Sequence, residues 1–195
     1  TVIAPALAGE LGVHNAYAVP KPLKVVVNVG VGASLKDPKL LEIATNTLRR
    51  ITGQQPIQTL SKQSISNFKI RQGQVIGLKV TLRGLRMYSF LDKLINVTLP
   101  RIRDFRGLTS SSVDASGNLN IGLREHIVFP EIPADEVEKI HSLQVTVASS
   151  ATTRAAGMAL YRRLGFAFMA AAEEVPKPRK VRKSAPRKPK APKPE

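Results

Sequence analysis

Several residue types are absent or scarce in this chain. Its 195 residues include no cysteine and no tryptophan, and only three Tyr and six Phe supply aromatic rings. Disulfides and thiolate metal sites are therefore excluded, and the core must be mainly aliphatic. No apolar run approaches the roughly 20 residues that span a bilayer, so we expect no membrane span. Thr1 is not an initiator Met and no charged signal-peptide flank follows it, so we expect a few residues to precede it.

Acidic residues are also few. Asp and Glu number 14 against 30 Lys and Arg, which gives a formal net charge of +16 and a pI near 10.6. Such a charge says little about the fold but favours an anionic partner. By charge alone nucleic acid ranks first and an anionic membrane surface second, and of the two we expect nucleic acid and no membrane partner.

The chain is organised around residues 60–86. Apolar and polar residues alternate in the second half of this stretch, with Ile76, Leu78, Val80 and Leu82 on one face of a strand and Gly77, Lys79, Thr81 and Arg83 on the other. The cation- and amide-rich run before it predicts a projecting loop with Gly73 at a turn. A basic face beside a basic loop suits a phosphate backbone, although an ordinary solvated hairpin stays open as an alternative.

The order of predicted elements is β-α-β-β-α, followed by β and β-α. This order predicts an α+β fold with a mixed, mainly antiparallel sheet and helices packed on one face. We expect four helices: at 2–11, from the Asp37-Pro38 start to Gly53, from Gly84 to just before Pro100, and from a Thr152 or Thr153 cap to Gly165. Strands are expected at 24–30, 56–60, 76–82, 119–123 and 143–147. The strand at 24–30 is apolar enough to lie centrally, and Asn28 within it must be cross-bonded or directed at a ligand.

The composition changes abruptly near the C-terminus. Residues 176–195 hold six Pro, nine Lys or Arg and one Glu, a net charge of +8. Such a segment cannot bury enough apolar surface to fold alone. We therefore divide the chain into a domain at 1–168 and a basic, Lys/Pro-rich, disordered-type extension at 169–195.

Catalytic chemistry has little support in the sequence. Gly30 and Gly32 follow a strand, but Leu35 stands where a dinucleotide fingerprint needs its third glycine. The three histidines, His14, His126 and His141, lack metal-ligand spacing, and Glu125 beside His126 is more typical of polar surface than of a catalytic base. We expect no enzyme, no cofactor and no metal.

Two basic clusters remain. The first surrounds the organising hairpin and comprises Lys62, Lys69, Arg71, Lys79, Arg83 and Arg86, and the second comprises Arg101, Arg103 and Arg106. Phe68 lies between Asn67 and Lys69, where it could stack on a base or close the sheet edge. Both roles remain open at this point.

Four long motifs resemble one family. They begin at Ser64 (SISNFKIRQG), Ile76 (IGLKVTLRG), Leu99 (LPRIRDFRGL) and Val128 (VFPEI), and shorter matches begin at Asn28, Ile51 and Leu164. They are similar, in the same order, to the bacterial type of large-subunit ribosomal protein five. The resemblance covers about residues 1–168 and implies a non-enzymatic cytoplasmic protein of the large ribosomal subunit.

The resemblance also implies partners and sites. Family members bind 5S ribosomal RNA in the central protuberance, contact large-subunit ribosomal RNA and neighbouring ribosomal proteins, reach P-site tRNA with a loop, and touch a protein of the small-subunit head. The 5S-binding positions fall on Asn28, Gln54, Phe68 and Thr81, to which we add the basic residues Lys62, Lys79 and Arg83. The tRNA-facing loop matches Lys69, Ile70, Arg71, Gln72, Gly73, Gln74, Val75 and Ile76. We assign Arg101, Arg103 and Arg106 to ribosomal RNA or bridge contacts.

Three parts of the chain depart from the family pattern. Gln74 and Val75 replace the usual loop-tip residues, and Val113 and Leu119 replace aromatics of the intersubunit region. The extension after 168 has no family counterpart. A free RNA chaperone or DNA-binding protein, using the same basic face, is the main alternative.

Overall fold

A five-stranded antiparallel sheet forms the centre of the computed structural model, which describes residues 3–13, 15–32, 39–133, 137 and 139–169. The strands are β1 (Pro22–Gly30), β2 (Ile57–Leu60), β3 (Val75–Leu82), β4 (Leu119–Leu123) and β5 (Leu143–Ser149), in the spatial order β2-β3-β1-β5-β4. All four strand pairs are antiparallel, and a parallel contact occurs as an isolated bridge between Leu108 and Phe168. The apolar strand β1 is central, as predicted.

The strand register separates two faces of the sheet. Directly opposed residues share a face in an antiparallel pair. Val27 of β1 lies opposite Val80 of β3 and Val145 of β5, and all three are buried. The next residue along, Asn28, lies opposite Lys79 and Gln144, whose side chains are exposed. The alternation read from the sequence of β3 therefore extends across the sheet.

Four helices cover the apolar face. They are α1 (Ile3–Leu11), α2 (Lys39–Thr52), α3 (Gly84–Lys93) and α4 (Arg154–Arg163). Leu7, Leu48, Phe90 and Leu160, one from each helix, belong to the same buried cluster as the inward residues of the strands. The opposite face carries no described helix. The α+β prediction, with helices on a single face, is confirmed.

Most helix ends lie where the sequence predicts them. Gly53 ends α2 at a φ of +65°, which glycine adopts without a steric cost, and its N–H bonds to the carbonyl of Arg49. Thr153 caps α4, because its hydroxyl accepts from the N–H of Ala156 at 3.3 Å. Of the two threonines proposed as caps, the second is therefore the one used.

The third α-helix ends before Pro100, as predicted, but turns of other helical types continue the path through the proline. A π-helical turn (Leu94–Thr98) follows α3, and a 3₁₀ turn (Leu99–Arg101) then carries the chain through Pro100. Proline is tolerated there because it occupies the start of a new turn, where its missing N–H has no helical acceptor to lose. The helical path ends at Ile102, whose backbone is extended.

Gly117 and Gly157 allow α4 to contact the turn before β4. A Cβ on Gly157 would lie 2.6 Å from Gly117 Cα and 2.7 Å from its carbonyl oxygen. The hydroxyl of the buried Tyr161 lies within hydrogen-bonding distance of that carbonyl and of the Val147 carbonyl. Burial raises the pKa of Tyr161 to about 12, so it stays a neutral donor. The contact leaves no room for a side chain.

His126 and His141 stack with their ring centroids 4.0 Å apart. The backbone N–H of His141 donates to His126 Nδ1 at 3.3 Å, so this nitrogen acts as an acceptor. Burial lowers both pKa values, and burial together with the neighbouring His126 lowers that of His141 to about 4. The sequence does not predict this pair, because 15 residues separate the two histidines and only tertiary packing brings them together.

Some expectations lie outside the described residues. They are the helix start at Asp37-Pro38, His14 and the extension beyond Met169.

Replacing Gly157 with Ala is expected to destabilise the fold by about 1 to 3 kcal/mol, because the new methyl group collides with backbone atoms. The matched control is Gly9→Ala, at an exposed position of α1 with nothing within 4 Å, which should be neutral or slightly stabilising. Urea unfolding of both variants measures the difference. Equal stabilities would contradict the tight contact.

The histidine pair predicts a pH dependence of stability. Both folded-state pKa values lie below the unfolded value near 6.5, so the unfolded chain binds more protons as pH falls. The neutral histidine pair stabilises the folded state above pH 6.5. The free energy of unfolding falls by about 1 to 3 kcal/mol as the pH drops from about 6.5 to 4. His141→Phe keeps a ring but removes one titration. Thermal melts from pH 7.5 to 4.5 should show a shallower loss for this variant, and unchanged slopes would contradict the assignment.

Candidate nucleic-acid interface

The open face of the sheet, opposite the helices, carries a polar surface built by the strand register. Two neighbouring rows of residues cross the strands β3, β1, β5 and β4 in that order. One row is Lys79, Asn28, Gln144 and Gly122, and the next is Thr81, Val26, Thr146 and Asn120. Amides, hydroxyls and a cation on a solvent-facing sheet can donate to phosphate, sugar and base-edge acceptors. We call this surface the open face.

Asn28 is the most informative member of the open face. Among the described residues its side chain has no hydrogen-bond partner, whereas the nearby Thr146 hydroxyl donates to Asn120 Oδ1 at 2.8 Å. Asn28, Gly30, Asn120 and Gln144 line a shallow depression of about 500 Å³. Of the two alternatives for Asn28, cross-bonding is not observed, which favours a ligand contact.

Gln54 connects α2 to the end of β3. In the amide orientation that satisfies both of its polar atoms, Nε2 donates to the Thr81 carbonyl at 3.2 Å and Oε1 accepts from Arg86 Nη1 at 3.3 Å. Two predicted contact residues, Gln54 and Thr81, are therefore neighbours. The same amide positions Arg86, a member of the first basic cluster.

The β2–β3 loop, residues 61–74, has its own hydrogen-bonded framework. Ser61 N–H donates to the Gln74 carbonyl at its base, and Ile65 and Ile70 exchange two backbone bonds further out. Gly73 has a φ of +84°, which accounts for glycine at this turn. These bonds hold the loop together as one unit that continues the β2–β3 pairing outward.

Phe68 lies at the tip of this loop. It ends the 3₁₀ turn Ser66–Phe68 and is 69% exposed, and Lys69 follows it in a left-handed conformation with φ 55°. An exposed ring does not close the sheet edge, so the structure favours the stacking role. Exposed aromatic rings beside cations are typical of single-stranded nucleic-acid contacts.

The cations of the first cluster surround this region. All six, Lys62, Lys69, Arg71, Lys79, Arg83 and Arg86, are exposed. None of them forms an ion pair with a described acid. Of the residues matched to a tRNA-facing loop, Val75 and Ile76 lie in β3 and are half-buried, so the loop's exposed portion ends before Gln74.

The second basic cluster lies at the other edge of the sheet. Arg101, Arg103 and Arg106 are exposed on the segment after α3. Arg101 and Arg103, together with Arg124 at the end of β4, line a groove of about 790 Å³ between residues 99–109 and β4. We call this the arginine groove. Arg124 was not predicted, because only the packing of residues 99–109 beside the edge strand β4 brings it close to Arg101 and Arg103.

The altered intersubunit region is a small hairpin. Val113 and Leu119 form an antiparallel bridge and are almost fully buried. Asp114 accepts from the backbone and side-chain N–H groups of Asn118, at 2.8 and 3.0 Å, and these bonds lower its pKa. Val113 and Leu119, which stand where the family pattern has aromatics, therefore belong to the core, and the exposed residues of the hairpin are Asp114, Ala115 and Ser116.

Over residues 3–13, 15–32, 39–133, 137 and 139–169, no group of three His, Cys, Asp or Glu residues could hold a metal ion. The helices within these ranges are too short or too polar to span a membrane.

Two family models match consecutive parts of the chain. The model described as ribosomal protein L5 matches residues 15–71, and the one described as the ribosomal L5P family C-terminus matches residues 75–168. The large ribosomal subunit protein uL5 of Halothermothrix orenii is 52% identical over 166 residues, which cover 85% of this chain and 93% of the relative. Two further uL5 proteins are each 49% identical over 85% of this chain. They are from Chloroflexus aurantiacus (strain J-10-fl), matched over 92% of its length, and Thermotoga sp. (strain RQ2), matched over 90%.

The fold and these matches define a structural, non-enzymatic constituent of the large ribosomal subunit. The chain belongs to the uL5 family, in its bacterial type. The resemblance seen in the sequence is confirmed, and with it the expected place on cytoplasmic large subunits. Ribosomal RNA and ribosomal proteins are the partners that membership implies.

Proposed function

We propose that the chain binds 5S ribosomal RNA with the open face of its sheet and the tip of the β2–β3 loop. The observation that carries the proposal is the register that places Asn28, Lys79 and Thr81 together on a face that no described helix covers. The helices occupy the other face, so the RNA-binding surface and the core do not compete for the same side chains.

The chemistry of the open face fits this role. Lys79 supplies a phosphate contact, while Asn28 offers a donor and an acceptor for a base edge or a ribose hydroxyl. Phe68 at the loop tip supplies a stacking ring. Gln54 acts on the same surface by holding the Thr81 backbone and Arg86.

The two basic clusters serve different contacts in this proposal. Lys69 and Arg71, with the exposed residues up to Gly73, reach P-site tRNA, because the loop's internal hydrogen bonds hold it as a projecting unit. Arg101, Arg103 and Arg106 contact large-subunit ribosomal RNA at the other sheet edge. The hairpin around Asp114 faces the small-subunit head protein.

The basic extension adds a contact without sequence readout. Residues 176–195 contain no aromatic ring, and six prolines favour an extended chain of about 60 Å at roughly 3.1 Å per residue. Nine cations along such a length suit neutralisation of phosphates. The extension therefore lies along ribosomal RNA in our proposal, and it forms a second part of the chain after the domain at 1–168.

Asn28→Ala and Phe68→Ala are each expected to weaken 5S RNA binding by about 1 to 3 kcal/mol, or roughly 5- to 150-fold, with thermal stability retained. Gel-shift titration measures the affinity. Asn46→Ala, on the exposed surface of α2, is the matched amide control and should bind like the unaltered protein. Phe68→Leu should resemble Phe68→Ala if the ring stacks. Normal affinity in both Asn28→Ala and Phe68→Ala would refute the proposed surface.

Replacing Lys69 and Arg71 with Ala is expected to lower P-site tRNA occupancy while 5S RNA binding and subunit assembly remain intact. The control removes two cations from α2, Lys39 and Arg49, and should leave occupancy unchanged. Filter binding of labelled tRNA to reconstituted ribosomes measures the effect. Failed assembly in the loop variant would show that the loop is structural.

Deleting residues 176–195 should weaken RNA affinity and flatten its dependence on salt. Every phosphate that the extension no longer neutralises takes just under one unit off the slope of log K against log salt. A second variant with the nine cations replaced by Gln keeps the length and should behave like the deletion. An unchanged slope in both variants would show that the extension neutralises no phosphates.

A further inference from the structure

The depression on the open face lies where two strands part. The pairing of β1 with β5 ends at Asn28 and Gln144, whereas the pairing of β1 with β3 continues to Gly30. Beyond the last pair, Gly30 of β1 and Ser142, which precedes β5, line the depression from opposite sides. The gap between the strands therefore opens beside the exposed amides of the open face.

Gly30 presents backbone groups to this gap. The N–H of Val31 donates to the carbonyl of Ile76 in β3 at 3.0 Å. The backbone groups of successive strand residues point to opposite sides, so the N–H and C=O of Gly30 point away from β3 and towards β5. They lie beyond the last paired residues of β1 and β5. Gly30 thus offers a donor and an acceptor side by side to an occupant of the depression.

The packing of the described residues does not explain why glycine occupies positions 30 and 122, which both line the depression. Neither Gly30 nor Gly122 has a positive φ, and a Cβ at either would have no described atom within 4 Å. Gly77, directly opposite Gly30, differs, because a Cβ there would lie 2.6 Å from Thr59 Oγ1. Glycine weakens a strand and often marks a place where a ligand approaches the backbone closely.

The other lining groups indicate which part of a nucleotide fits the depression. None of the described residues that line it is acidic, and Arg124 supplies one cation. The side chains of Asn28, Gln144 and Ser142 can each donate and accept, as can the backbone of Gly30. A phosphate group only accepts and would leave these acceptors unpaired, whereas the edge of a base carries donors and acceptors together. The single cation then suits the phosphate of the same nucleotide.

We propose that the depression holds one unpaired base of the RNA on the open face, with its edge at Gly30 and Asn28 and its phosphate at Arg124. Glycine at positions 30 and 122 keeps the sheet surface low enough for the flat ring to reach the backbone of β1. Unpaired bases are the parts of an RNA that proteins read by sequence. The inference rests on the proposed function and adds a base-reading site to its phosphate contacts.

Filling the depression should block the base. Gly30→Val and Gly122→Val should each weaken 5S RNA binding at least about tenfold in gel-shift titration, and Gly30→Ala about threefold, because a larger side chain holds the ring further from the sheet. Melting temperatures should be equal or higher, because valine favours a strand. The control, Gly9→Ala on α1, should bind like the unaltered protein. Unchanged affinity in the valine variants would overturn the site, and so would weaker binding with a lower melting temperature, which would make the glycines structural.

Chemical probing of 5S RNA, at saturating protein, distinguishes a bound base from a bound phosphate. Dimethyl sulfate and a carbodiimide modify the Watson–Crick edges of unpaired bases, and hydroxyl radicals cut the RNA backbone. The unaltered chain should protect at least one unpaired base that stays reactive in the Gly30→Val complex, while backbone protection elsewhere is retained. Identical base reactivity in the two complexes would overturn the proposal.

The same titrations separate this inference from the proposed function. If Asn28→Ala and Phe68→Ala weaken binding but Gly30→Val does not, the open face binds RNA and the base site is refuted. If Asn28→Ala and Phe68→Ala also bind normally, the open face itself is refuted, and the base site with it.

Discussion

The antiparallel pairing of β1 with β3 and β5 is the constraint on which the rest of the structure depends. Side chains alternate between faces with a period of two, so one register decides which residues enter the core on three strands together. Val27, Val80 and Val145 pack under the helices because of it, while Asn28 and Lys79 face outward. A slip by one residue would bury Lys79 and expose the valines. The fold and the proposed interface therefore both depend on this pairing.

That pairing also explains how a basic protein of this size combines stability with RNA binding. Its core is aliphatic and lies on one side of a single sheet, so the charge can concentrate on the loops, the open face and the sheet edges. Thr81 belongs to this surface, yet its backbone is held by Gln54 from behind. Contact residues positioned from the core side lose less entropy when they meet a ligand.

Periodicity and glycine predicted much of this arrangement. The alternation in β3 predicted both of its faces, and Gly53 and Gly165 marked helix ends that the structure confirms by their positive φ values. Contacts made by tertiary packing were beyond reach: His126 and His141 stack across 15 residues, and Arg124 joins Arg101 only because β4 is an edge strand. Pro100 marked the limit of the α-helix but not of the helical path, because a new 3₁₀ turn begins beside it.

The central claim is that the open face, and not the helical face, meets 5S RNA. Lysine-reactivity footprinting by mass spectrometry tests it most directly, since Lys62 and Lys79 lie near the proposed surface and the exposed Lys39 lies on α2. With 5S RNA bound, we predict that acetylation of Lys79 and Lys62 falls at least tenfold while Lys39 keeps its reactivity. Protection of Lys39, with Lys79 still reactive, would contradict the account.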